Sequence, residues 1–268
     1  MSTALIIPAA GAGTRLGAGL PKAFVPLAGR TLLARAVEGA VRSGVVDTIV
    51  IAAPAHLLAE AEDIARTAAR AAGPEDGGLP PPARAAAGAG TAAVTPVSII
   101  VVAGGEERTV SVAAALAAVP EAEWVLVHDA ARCLTPVGVF HRVHAALQAG
   151  ARAVVPVLPV TDTVRTQADD GTLRGGLDRS ALRRVQTPQG FRHAVLHAAH
   201  TVHRDDPDPA LTDDAGLVER IGTALTPVDG DEASLKITHP LDLKIAGLLL
   251  EDGTPLDESH TEQQEDPA

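Results

Sequence analysis

The feature that most constrains this chain is a rhythm: a short apolar run, then a stretch of helical period, recurring from the N-terminus to about residue 160. "TALIIPA", "VDTIVIAAP", "VSIIVVAGG", "EWVLVHDAAR" and "ARAVVPVLPV" read as strands. "TLLARAVEGAVRSG", "LLAEAEDIARTAARAA", "RTVSVAAALAAVP" and "GVFHRVHAALQAG" read as the helices between them, the first ending at Gly44. Strands apolar at consecutive positions need cover on both faces, and an intervening helix makes neighbouring strands parallel. The expected fold is therefore α/β, a Rossmann-like, mostly parallel sheet with helices on both faces. Such a core has to be built from Ala, Val and Leu, because the chain has no Tyr, one Trp and three Phe in 268 residues.

Three segments break the rhythm. Residues 73–96 are rich in Gly, Pro and Ala without periodicity and read as a flexible insertion. Residues 161–184 hold turn signals at Asp170-Gly171 and Gly175-Gly176 between short β-prone runs, the pattern of a protruding hairpin. Residues 251–268 are acidic and poor in apolar side chains, hence a disordered tail. One domain over 1–250 is expected.

The net charge of −11 argues against a nucleic-acid binder with a broad basic face. Seven of the acidic residues lie in the tail from Glu251 onward, with no Lys or Arg there, so the remainder carries −4 (−11 less −7) and has room for a local basic pocket. The lone Cys133 excludes an internal disulfide and a cysteine zinc cluster, as expected in a reducing cytoplasm. Neither a signal peptide nor a membrane span is expected from the apolar stretches.

The first strand opens into "PAAGAGTRLGAGLPKAFVPLAG", with Gly11, Gly13 and Gly17 spaced G-x-G-x-x-x-G. Glycines let backbone approach a ligand and present amides to phosphate oxygens. A dinucleotide fingerprint would need its third glycine one residue earlier and a carboxylate ending the second strand, which instead reads "VIAAP". That spelling counts against a nicotinamide-dependent dehydrogenase. The Walker pattern G-x-x-x-x-G-K-[ST] is absent as well. What this loop adds is Arg15 and Lys22, either ordinary surface charges or two fixed cations for a phosphoryl group and its leaving group. Asp129 ends an apolar strand, where it can hold Mg2+ or cap a helix. His128 beside it is read as structural, Ser111 as a helix-start hydroxyl, and Asp213 as a helix cap. Arg132, Thr163, Arg179 and Thr187 are candidates for a second anion pocket, since Arg grips phosphate bidentately and Thr donates a hydroxyl.

"PAAGAGTRLG" with "PKAFVPLAG" resembles the nucleotidyltransferases that join a nucleoside triphosphate to a phosphate ester. With "GGEERTVSV" (104–112), "VLVHDAAR" (125–132), "RRVQTPQGF" (183–191) and "SLKITHPLDL" (234–243) in the same order, it resembles more narrowly the 2-C-methyl-D-erythritol 4-phosphate cytidylyltransferase family. The resemblance spans residues 3 to 249 and implies a nucleotidyltransferase-type sheet with a protruding β-arm. It implies that Arg15, Lys22 and Lys236 clamp the triphosphate of CTP, and that Pro8, Ala9, Ala10, Gly11, Ala12, Gly13, Gly105 and Ser111 line the nucleotide site. Asp129 would hold Mg2+. Arg132, Thr163 and Arg179 would meet the acceptor, 2-C-methyl-D-erythritol 4-phosphate, with Arg179 also catalytic. The arm at 161–184 would reach a second subunit and make the active form a homodimer. An alternative acceptor is ribitol 5-phosphate or another alditol phosphate. The chain departs from the family in "HDAARCLTP", which lacks the usual proline directly after the arginine, and in the long 73–96 segment.

Overall fold

The computed structural model describes residues 2–72 and 96–251. Most of the expected 73–96 insertion and all but the first residue of the expected 251–268 tail lie outside them.

β1 (Thr3–Pro8), β4 (Thr48–Ala53), β5 (Ser98–Ala103) and β6 (Trp124–Val127) form the parallel centre of the main sheet. β7 (Ala153–Pro159) and β12 (Thr226–Asp229) pair in parallel beyond them. β2 (Pro26–Leu27) and β3 (Arg30–Thr31) make a separate small hairpin. Across the sheet the order runs β7, β11 (Gln189–Arg192), β6, β1, β4, β5. The chain steps from β1 outward to β4 and β5, then returns to the other side of β1 as β6. The reversal puts a topological switch point between β1 and β6, where open α/β sheets bind ligands at the carboxyl ends of the strands.

Period-two alternation sorts the core into two layers. Leu5 and Ile7 of β1, with Ile49, Ile51 and Leu126, face α1 (Leu32–Ser43), α2 (Leu58–Ala72) and α4 (Val137–Gln148). Ala4 and Ile6, with Val50, Ala52, Val125 and Val127, face α3 (Arg108–Ala117), α5 (His193–Asp205) and α6 (Asp214–Arg220). Small side chains fill both layers; Phe140 and Phe191 are the largest fully buried ones. α1 begins where Thr31 Oγ1 accepts from the Ala34 amide and ends, as expected, at Gly44 in the left-handed region (φ 66°). Only glycine takes that conformation without strain.

The rhythm did not announce β11 (Gln189–Arg192), which runs antiparallel between β6 and β7. Its four residues include Gln and Gly, so neither apolar run nor alternation marks it. A Cβ on Gly190 would come within 2.5 Å of Val143 and 3.0 Å of Leu147, so glycine there lets α4 pack down on the sheet. Segment 161–184 is the expected excursion: β8 (Thr166–Gln167) and β9 (Leu173–Arg174) pair as a hairpin. Asp170 Oδ1 accepts from the Thr172 amide and hydroxyl in its turn. The chain returns along β10 (Arg183–Val185), antiparallel to β7. α7 (Pro240–Glu251) closes the described chain.

Candidate active site

Three walls meet at the switch point. The first is the loop leaving β1. Gly13 (φ 65°) and Gly17 (φ 68°) bracket a 3-10 turn at Thr14–Leu16. A Cβ on Gly13 would sit 2.6 Å from Lys22 Cβ, so glycine is what allows the loop to close on Lys22. The Lys22 amide donates to Gly11 O (3.3 Å), and buried Ala23 and Phe24 anchor the turn that carries it. A Cβ on Gly11 would meet no protein atom within 4 Å, which leaves its backbone open to a ligand.

The second wall leaves β5. Gly104 packs so closely on Ala10 that a Cβ would lie 2.6 Å from the Ala10 methyl. Ser111, buried in the first turns of α3, accepts from the Gly105 amide (3.1 Å), and its hydroxyl hydrogen faces Glu107 O (3.1 Å). It thereby fixes the backbone of 105–107.

The third wall is the end of β6. The Asp129 amide donates to Thr187 Oγ1 (3.0 Å), whose hydroxyl in turn reaches His128 Nδ1 (3.0 Å). Asp129 precedes a 3-10 turn at Ala130–Arg132 but its side chain makes no cap bond there, so the carboxylate is left for the cleft. The Ile237 amide donates to Ala131 O (2.9 Å), with Ile237 buried, and this tether brings Lys236 to Asp129 from the far end of the chain. Lys236 Nζ lies 2.8 Å from Asp129 Oδ2.

The walls enclose a cleft of about 240 Å³. Pro8, Ala9, Ala10, Gly11, Gly13, Arg15, Lys22, Gly105, Ser111, Asp129 and Lys236, all expected at the nucleotide site, line it. Ala12 does not; it is exposed on the outer side of the loop. Burial alone would raise the Asp129 carboxyl, but Arg108 and then Lys236 outweigh it and hold the group ionised, well below the usual carboxylate range. Burial, then repulsion from Lys236, lowers the Lys22 ammonium to about 8; Asp129 offsets part of this and Arg15 adds to it. Among the described residues neither Lys22 nor Arg15 has an ion-pair partner. Cations crowded into a cleft without enough counter-charge are a site prepared for a polyanion.

His128 does not line the cleft. It is buried against Phe140, and burial lowers its imidazole to about 4, so it stays neutral. Its place is structural, as the sequence suggested. Asp213 likewise caps α6, accepting from the Gly216 amide (2.9 Å).

The acceptor candidates are arranged differently. Thr187, expected at the acceptor, is buried, and its hydroxyl is already shared between the Asp129 amide and His128. Arg132 directs Nη1 to Ser234 O (2.7 Å) and Nη2 to Val185 O (3.2 Å), bracing the Lys236 segment against β10. Thr163 and Arg179 are exposed on the arm, line no part of this cleft, and Arg179 Nη1 donates to Thr161 O (2.7 Å).

Two residues escaped the sequence reading. Arg108, first residue of α3, lines the cleft and points Nε at Asp129 Oδ1 (3.4 Å). Its Nη1 lies 2.5 Å from Oδ2 of Asp214, which is fully buried and takes a second bond at Oδ1 from His200 Nε2 (2.9 Å). Arg108 lies inside the motif "GGEERTVSV" and Asp214 directly follows the expected cap Asp213, but only the packing of α3, α5 and α6 shows them joined.

A divalent cation fits this donor set in a limited way. Among the described residues no group of three or more His, Cys, Asp or Glu could hold a metal. One ionised carboxylate, Asp129, beside cations able to take phosphates suits an ion bound mainly through a substrate's oxygens. No helix of the described residues is long and apolar enough to cross a membrane.

The sequence model of a family described as 2-C-methyl-D-erythritol 4-phosphate cytidylyltransferase matches residues 3–76 and 83–252. A Rhodococcus opacus protein of that name is 44% identical over 248 residues, 92% of this chain and 95% of the relative. One from Saccharopolyspora erythraea is 45% identical over 254 residues, covering 93% and 100%. The crystal structure of the Thermus thermophilus cytidylyltransferase of the same name is similar at a TM-score of 0.67 and 33% identity, over 94% of this chain and 100% of that one. A 4-diphosphocytidyl-2C-methyl-D-erythritol synthase from Anaerococcus prevotii shares the fold at a TM-score of 0.73 and 23% identity, over 93% and 98%. By its motifs, its switch-point cleft and these likenesses, the chain belongs to the 2-C-methyl-D-erythritol 4-phosphate cytidylyltransferase family.

Proposed function

We propose that the cleft carries out the family's reaction: CTP and 2-C-methyl-D-erythritol 4-phosphate give 4-diphosphocytidyl-2-C-methyl-D-erythritol and pyrophosphate, a step of isoprenoid precursor synthesis. The carrying observation is a pair of cations without ion-pair partners among the described residues, Arg15 and Lys22, set in a glycine loop that lines one cleft with an ionised Asp129. An acceptor phosphate oxygen attacks the α-phosphorus in line; the new O–P bond forms as the bond to the β-phosphate oxygen breaks. The acceptor is already anionic near neutral pH, so no base has to activate it. The work is alignment and charge stabilisation, by Arg15 and Lys22 on the triphosphate and by Lys236 once it leaves Asp129. Backbone of Ala9, Ala10 and Gly105, with Ser111 holding the last of these, faces the cytosine.

Mg2+, held by Asp129 and the triphosphate, would neutralise phosphate charge and fix its geometry. The exposed arm, with Thr163 and Arg179 on it, reaches the cleft of a second subunit, so the active form is a homodimer. Val164, Leu173 and Leu177, apolar and 39%, 66% and 44% exposed, support that reading. A cytoplasmic enzyme suits the lone Cys133, whose buried thiol is pushed up to about 12 and is unreactive.

One assay tests base, acceptor and reaction together: pyrophosphate release with each of the four ribonucleoside triphosphates, using methylerythritol phosphate or ribitol 5-phosphate as acceptor. CTP with methylerythritol phosphate should dominate. A higher kcat/KM for ribitol 5-phosphate would replace the acceptor, and release from none of the pairs would overturn the reading.

A further inference from the structure

Asp129 already has two cationic neighbours, and they are held in different ways. Lys236 sits 2.8 Å from Oδ2 on a side chain that is 44% exposed, so it is free to swing to an incoming phosphate. Arg108 cannot leave in that manner. Its guanidinium is largely buried and bound through Nη1 to Asp214, at 2.5 Å, while its contact to Asp129 Oδ1 is long, at 3.4 Å. Asp214 is itself fixed: fully buried, at the start of α6, with its other oxygen on His200 Nε2. Thus one arginine lies between two carboxylates, and the buried one holds it more closely.

That asymmetry bears on the cation, because a short bidentate Arg–carboxylate pair would occupy the oxygens a divalent ion needs. We propose that Asp214 is a positioning residue that holds Arg108 back from Asp129, keeping the Asp129 carboxylate open to the divalent cation that accompanies the nucleotide. Arg108 then orients Asp129 from one side without closing on it. His200 moderates the restraint by sharing Asp214: with His200 bound, Asp214 divides its charge between two donors. The inference rests on the cytidylyltransferase reading, and it concerns Asp214, which does not line the cleft.

It predicts effects of opposite sign from two lesions in one buried network. Without the Asp214 charge, Arg108 closes on Asp129 and competes with the cation. Without the His200 donor, Asp214 draws Arg108 more strongly and the competition weakens. Damage to packing alone would weaken the site in both variants.

The test is Mn2+ binding to the full-length protein in saturating CTP, read as free Mn2+ by electron paramagnetic resonance. Asp214→Asn should raise the Mn2+ dissociation constant about tenfold, the scale of one charge-assisted hydrogen bond. The double variant Asp214→Asn/Arg108→Gln should return it to within about threefold of wild type, because the competitor is gone. His200→Ala should bind Mn2+ more tightly than wild type. Wild-type affinity in Asp214→Asn, no recovery in the double variant, or unchanged or weaker binding in His200→Ala would each overturn the proposal. Should Asp214→Asn not fold, the sign of the His200→Ala change decides. A wild-type protein that neither takes up Mn2+ with CTP nor releases pyrophosphate would instead overturn the function reading.

Discussion

The nucleotide cleft and the arm at 161–184 are built on opposite plans. The walls of the cleft leave the carboxyl ends of β1, β5 and β6, and its close contacts, Gly13 on Lys22 and Gly104 on Ala10, leave no space to spare. Along the arm only Ala168 and Leu182 are better than exposed, and its side chains bond mostly to their own segment. A rigid wall can preorganise charges before substrate arrives, which is what electrostatic stabilisation of a transition state requires. An arm with exposed apolar residues and no packing beneath it gains its order from whatever covers it. On the proposed reading, the difference separates a half-site complete within one chain from one that a partner would complete.

The sharpest break between the halves comes from Lys22→Ala. It should lower kcat by about 10²–10³-fold or more, the scale seen for removing one preorganised charge-stabilising donor. Thermal stability should hold or rise, since Lys22 is a cation kept in a cleft that depresses its pKa. Normal turnover in both Lys22→Ala and Arg15→Ala would remove the cleft from the chemistry. Next in size is Arg179→Ala, expected to raise the acceptor KM by about tenfold, a typical loss for one charged contact, with the KM for CTP unchanged. Mixing inactive Lys22→Ala with Arg179→Ala subunits should restore a share of the activity, because each mixed dimer holds one intact cleft facing one intact arm. Absence of recovery in subunits shown to exchange would assign the arm to its own chain.

A smaller effect marks the cleft by pH. Lys22 loses its proton in the free site near pH 8, so kcat/KM for CTP should fall about tenfold per pH unit above that. Binding of a triphosphate favours the ammonium, so the limb in kcat moves to higher pH and nucleotide binding takes up protons between about pH 8 and the ordinary lysine value. Lys22→Arg should abolish the alkaline limb whatever its absolute rate. A limb that survives the substitution belongs to another group.

The same contrast explains what could be read in the sequence. The parallel centre was legible because β1, β4 and β6 are buried on both faces and so are apolar at every position beyond the opening Thr3 and Thr48. The cleft was legible because glycines, Arg15, Lys22 and Asp129 fall at fixed offsets from those strands. β11 was not, since Gln189 and Gly190 carry no apolar pattern. Arg108 and Asp214 were hidden because their pairing spans 106 residues and depends on two helices meeting. Thr187 and Arg132 were read as acceptor contacts, and here their bonds go to the protein's own groups, a distinction residue type does not encode.

The least effects should fall on two caps, and they should divide along the same line. Thr31 Oγ1 caps α1 over the buried core, so Thr31→Ala should cost about 1 kcal/mol of stability, the usual size of a lost N-cap, without moving either KM. Asp178 Oδ1 accepts from the Ser180 amide (2.9 Å) and hydroxyl (2.7 Å) and so shapes the turn that carries Arg179. The turn is exposed, so Asp178→Ala should leave the thermal transition where it is. It should raise the acceptor KM about threefold, because an arginine without a fixed turn pays more entropy to reach its partner. Thermal melts and acceptor KM on the two variants form a crossed pair. A shift of the melting transition in Asp178→Ala with the acceptor KM unchanged would mean that the arm belongs to the cooperative core, and the division between the two halves would not hold.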